Sequence, residues 1–129
     1  MNMKKIIEEN GLEGRKSNKK KNNESLLSFI PYPESVPEDV RQQQQEEFEN
    51  ILYSDLKQRI KSVKSVHVEF WFPDYPYGNT DVDLDIFASA KDAEKIIKRI
   101  NRVLPGFEFY KQYPSKQKNI VILNFSGIR

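Results

Sequence analysis

Between Val66 and Ile86 the apolar residues fall on every second position. Val66, Val68, Phe70 and Phe72 alternate with His67, Glu69 and Trp71, and Val82, Leu84 and Ile86 alternate with Asp81, Asp83 and Asp85. A period of two belongs to a strand with one buried and one exposed face. The intervening Pro73-Asp74-Tyr75-Pro76-Tyr77-Gly78-Asn79 is turn-forming,, so the two runs predict a hairpin. Its parity also predicts which side chains share each face.

Helical spacing flanks this hairpin. Phe48, Leu52, Leu56, Ile60 and Val63 recur at intervals of four and three, with Ile51 widening the stripe,. Pro37 suits the entry to that helix, and Glu38 and Asp39 suit its first turn,. The stretch through Gln42-Gln43-Gln44-Gln45 is polar on all sides, which predicts that it projects or frays. Ala93, Ile96, Ile97, Ile100, Val103 and Leu104 line a second helix, stopped by Pro105-Gly106,. Ser89 with Asp92 reads as a short-armed capping pair at its start. Leu26 to Ile30 reads as a first strand, closed by Pro31, Pro33 and Pro37,. Phe107–Tyr113 and Asn119–Phe125 read as two more.

The expected order is β-α-β-β-α-β-β. This is an α+β single domain with a mainly antiparallel sheet of four or five strands and two helices on one face, a ferredoxin-like variant. Ile120-Val121-Ile122-Leu123 is the most apolar run and calls for a central position.

Leu, Ile, Val and Phe supply 3 of the first 25 residues and 33 of the remaining 104. Residues 1–25, with five basic side chains within Arg15–Lys21, read as a disordered basic leader, and residues 26–129 as the folded domain. There is no cysteine and one histidine, which excludes disulfides, thiolate metal sites, a cysteine nucleophile and a two-histidine zinc site. No apolar run reaches the roughly 20 residues of a membrane span, and no signal-peptide core is seen. A cytoplasmic, soluble protein is the expectation.

The charge is not evenly spread. Ser65 to Ala90 contains no Lys or Arg but holds Glu69, Asp74, Asp81, Asp83 and Asp85. The next fourteen residues hold five basic and two acidic ones. Strand parity puts Asp81, Asp83 and Asp85 on one face, with Glu69 and Trp71 on the same face of the neighbouring strand. Same-face neighbours lie about 6.7 Å apart, where two carboxylates repel by roughly 0.6 kcal/mol in water. Aspartate is also a poor strand former. Such a face is either solvated, screened by Lys111, Lys116 or Lys118, or used.

The use favoured by this pattern is binding without catalysis. Glu69, Trp71, Asp74, Tyr75, Tyr77, Asp81, Asp83 and Asp85 combine negative potential with rigid aromatic anchors, which suits a basic protein partner. An immunity-type inhibitor covering the nucleic-acid groove of a nuclease toxin is one role with this physics. No cofactor or bound metal is expected on this reading. The alternative is a Mg²⁺-dependent nuclease or phosphotransferase built on the Asp cluster. The order of residues 26–33, the helix, Val66–Pro73 and Asp83-Leu84-Asp85 resembles that of RusA-type junction resolvases, which would imply metal-assisted phosphodiester cleavage. That family continues Asp-Asn with a nearby lysine and a later acidic pair. Here Asp85 precedes Ile86-Phe87, Lys91 lies on the next helix, and Glu108 stands alone after Gly106. Nucleic acid is unwelcome on the acidic face. Lys91, Lys95, Lys98, Arg99 and Arg102 on the second helix are the more suitable contacts. His67 lacks a positioned nucleophile and reads as a surface residue.

Overall fold

The computed structural model describes residues 24–33, 37–72 and 79–129. The expected leader up to residue 23 lies outside them. Two helices, α1 (Arg41–Arg59) and α2 (Ala93–Val103), accompany four strands, β1 (Ser65–Trp71), β2 (Asp81–Ser89), β3 (Glu108–Pro114) and β4 (Ile120–Ile128). The strands form one antiparallel sheet in the order β1-β2-β4-β3. The fold is α+β, and the apolar run of β4 takes a central place between β2 and β3.

One face of the sheet carries the core. Val66, Val68 and Phe70 of β1, Val82, Leu84, Ile86 and Ala88 of β2, and Leu123 and Phe125 of β4 are buried. They meet Phe48, Leu52 and Leu56 of α1 and Ile96, Ile100 and Val103 of α2, as the two helical stripes require. Ile60 and Val63 continue the stripe of α1 beyond its end.

Leu26 to Ile30 is not a strand. Leu27–Phe29 makes a short 3-10 turn. The Leu26 N–H donates to the Val103 carbonyl at the end of α2 (2.7 Å), and the Ile30 N–H donates to Leu27 (3.0 Å). With β4 filling the centre of the sheet, this segment serves as a plug instead: Ile30 is buried while Phe29 is exposed. A patternless apolar pentapeptide is compatible with either state.

The polar half of α1 does not project. Gln45 and Glu49, one turn apart, reach the free edge of β1. The Phe70 N–H donates to Gln45 Oε1 (2.9 Å) and the Val68 N–H to Glu49 Oε2 (2.8 Å). An edge strand otherwise offers such groups to any passing chain, so these two side chains seal it. Glu49→Ala should expose the Val68 amide, destabilise the fold by about 1 kcal/mol, and speed hydrogen exchange at Val68 while leaving Leu84 protected.

The expected Ser89–Asp92 capping pair does not form either. Ser89 makes no side-chain cap. Ser62, on the turn after α1, takes its place: its Oγ accepts the Ser89 N–H (3.1 Å) and donates to Asp92 Oδ2 (2.6 Å). A residue thirty positions away thus joins the end of α1 to the start of α2.

Candidate functional site

The outer face of the sheet follows from the pairing register. Glu69 stands opposite Asp83, Trp71 opposite Asp81, and His67 opposite Asp85. Across β2, Asp83 faces Ser126 and Asp85 faces Asn124, and beyond β4 those residues face Glu108 and Lys111. Asp81, Asp83 and Asp85 therefore share the solvent side with Glu69 and Trp71. One row across the sheet reads Glu69, Asp83, Ser126, Glu108. With strands spaced about 4.8 Å apart, three carboxylates fall within roughly 15 Å. Glu69 and Asp83 are direct cross-strand neighbours, where like charges oppose sheet formation.

These carboxylates rim an open groove of about 700 Å³ whose lining includes Glu69, Trp71, Asp81, Asp83, Glu108 and Ile128. Trp71 is 63% and Ile128 60% exposed. Both stand in register with Asp81, on either side of it, so two large apolar groups flank an aspartate. Glu108 and Ile128 enter the site only through strand order. Of the other residues expected here, Asp74, Tyr75 and Tyr77 lie outside the described residues.

Screening by lysines is not seen among the described residues, where no ion pair involves Asp81, Asp83 or Asp85. Lys111 reaches Tyr113 instead, its Nζ 4.9 Å from the ring centre. The compensating group is Asn124, almost fully buried on β4. Its Nδ2 donates to Asp85 Oδ1 (2.7 Å), to Asp83 Oδ1 (3.2 Å) and to the Leu84 carbonyl (3.1 Å). A polar residue within Ile120–Phe125 was the available signal, since a buried amide in a central strand needs partners.

The opposite end of the face is apolar. Phe87 stands opposite Ile122, which stands opposite Tyr113. Phe87 and Ile122 open onto a hollow of about 590 Å³ beside Pro114, Ser115, Lys116 and Gln117. His67 marks the border, its ring edge-on to Phe87 at 5.4 Å and its position opposite Asp85. No nucleophile is positioned beside it in the pairing.

Among the described residues no three His, Cys, Asp or Glu side chains converge as ligands of a metal ion. Asp83 and Asp85 extend in parallel from one strand and share an amide donor between them. No helix among the described residues is long and apolar enough to cross a membrane. Comparison with known proteins finds no matching family model, no matching curated protein and no matching solved structure.

Proposed function

We propose that the chain is a non-catalytic binding module that engages a basic protein through the outer face of its sheet. The observation that carries this reading is Trp71, 63% exposed and paired with Asp81, at the rim of a groove lined by carboxylates from three strands. An indole left in water gains most from being covered, and a fully desolvated aromatic is the commonest kind of interface anchor. The surrounding carboxylates speed the approach of a cationic surface and reject an anionic one. The apolar shelf of Phe87 and Ile122 extends the contact surface. A nuclease toxin, whose substrate groove must be cationic, is a partner class that fits.

Trp71 is the only tryptophan in the chain, so its fluorescence reports on this surface alone. Titration with a basic nuclease domain, or with an arginine-rich peptide as a minimal probe, should shift its emission with a salt-dependent Kd. The Asp81→Asn, Asp83→Asn, Asp85→Asn triple variant should weaken binding about tenfold and flatten the salt dependence, at about 0.5 kcal/mol per exposed charge. A Kd and salt slope equal to those of the natural chain would remove this face from consideration. Saturable Mg²⁺-induced shifts of the Asp83 and Asp85 amides, together with phosphodiester cleavage, would support the metal-dependent enzyme instead.

A further inference from the structure

Two groups of cations stand out in the helix layer. Arg99 and Arg102 are matched by acids: Arg99 binds Asp55 through two nitrogens (2.9 and 2.7 Å), and Glu24 takes both Arg99 (3.1 Å) and Arg102 (3.0 Å). Arg99 is only 12% exposed in its side chain. Arg99, expected to be available to nucleic acid, is thus occupied in holding the fold, whereas Arg102, 60% exposed in its side chain, is tied to Glu24 at the surface.

The second group gathers where α1 ends and α2 begins. Arg59, Lys61, Lys91 and Lys95 border an open cleft of about 530 Å³. Among the described residues no ion pair involves the three lysines. Arg59 has only a share of Asp55 (3.3 Å), which Arg99 already engages. The cleft's one acid, Asp92, accepts the Ser62 hydroxyl. Four cations against one acid leave a formal charge of +3.

The cleft is also held in shape. Ser62 ties the turn after α1 to Ser89 and Asp92 before α2. Lys57 Nζ donates to the carbonyls of Lys61 (2.7 Å) and Val63 (3.0 Å), pinning that turn, and the Lys64 N–H donates to the Phe87 carbonyl (2.7 Å). At the start of α2 the peptide dipoles favour Asp92 and Glu94, while Lys91 and Lys95 beside them gain nothing from the dipole,.

The lining distinguishes between anionic partners. It offers no exposed aromatic or large apolar side chain, because Ile60 is buried, so it lacks the anchor that a protein interface needs and the wedge that a lipid surface takes. Lysines acting as mobile point charges suit phosphate groups, and such contacts carry no sequence information. We propose that this cleft binds the phosphodiester backbone of a nucleic-acid strand without sequence preference. It is independent of the acidic face, and neither reading requires the other.

The test is fluorescence anisotropy of the full chain with a labelled single-stranded oligonucleotide of about 20 residues, across a salt series. The Lys61→Glu, Lys91→Glu, Lys95→Glu variant should bind at least tenfold more weakly. The slope of log K against log salt should fall by about 2, from three lost phosphate contacts at roughly 0.7 each. The milder Lys→Gln triple should lose less affinity with a similar loss of slope, and far-UV circular dichroism with thermal unfolding checks that both are folded. A chain with Arg15, Lys16, Lys19, Lys20 and Lys21 changed to Gln separates out the N-terminal cations. It should still lose affinity and slope when the cleft lysines are also replaced. Unchanged affinity and slope in the cleft variants would overturn the assignment. So would equally tight binding of poly-glutamate or of phosphatidylserine vesicles.

Discussion

Gly127→Ala should destabilise the protein by about 2–3 kcal/mol, a large penalty for one methyl group. Gly127 lies on β4 opposite Val82, on the core-facing side of the sheet. A β-carbon there would run into the ring of Phe107, which is 3% exposed. Relief would require moving a packed aromatic ring into water or bending a central strand. Backbone conformation is not the reason, since Gly127 does not have a positive φ. Denaturant unfolding should show a lower midpoint with an unchanged slope. The Phe107→Ala, Gly127→Ala double variant should be less destabilised than the sum of the two singles. A loss below about 0.5 kcal/mol, within the range of ordinary surface changes, would mean that the ring yields freely.

Arg99→Met carries the second large effect, about 2–3 kcal/mol. Asp55 and Arg99 are 15% and 12% exposed in their side chains and joined by a two-pronged hydrogen bond. Removing the guanidinium leaves a largely sequestered carboxylate whose remaining ion-pair partner among the described residues is Arg59, 45% exposed. Breaking such a pair costs more than deleting it whole. Asp55→Asn combined with Arg99→Met should therefore recover much of the loss, and thermal unfolding of the four proteins in the cycle measures it. The hydrogen bonds to Asp55 raise the Arg99 pKa above its ordinary value, against the pull of burial, and the charges of Asp55 and Glu24 add to the rise. A raised basic pKa stabilises the fold fully at every pH below the guanidinium's unfolded value, which lies far above neutrality,. The arginine's share should therefore not vary through neutral pH and should fall only as pH rises beyond that value.

Sequence periodicity carried the parts of this fold that are local. The hairpin parity of Val66–Ile86 placed Asp81, Asp83, Asp85, Glu69 and Trp71 together, and the strand pairing has them so. Both helical stripes lead into the core. What failed to show was whatever depends on non-local packing. The edge-sealing role of Gln45 and Glu49 requires knowing where α1 lies, and a glutamine run by itself suggests only solvent. Ser62 outcompetes Ser89 for Asp92 because the fold brings it there, not because of spacing. Leu26 to Ile30 had no period to decide it. Glu108 joins the acidic row only because β4 separates it from β2, a strand order that no hairpin rule fixes. Asn124 was legible in principle, being the one amide in an otherwise apolar run.

The place of β4 has a consequence for how the molecule comes into being. It pairs with β2 across as many as 47 positions, from Asp81 to Ile128, and it follows the other three described strands in chain order. Until it leaves the ribosome, β2 has a vacant flank and β3 has no neighbour. A β1–β2 hairpin standing without β4 would carry an unsatisfied edge, with three acidic residues pointing outward from it. The sheet is complete only once β4 is in place, and Asn124 arrives with the same segment to draw two of those aspartates together.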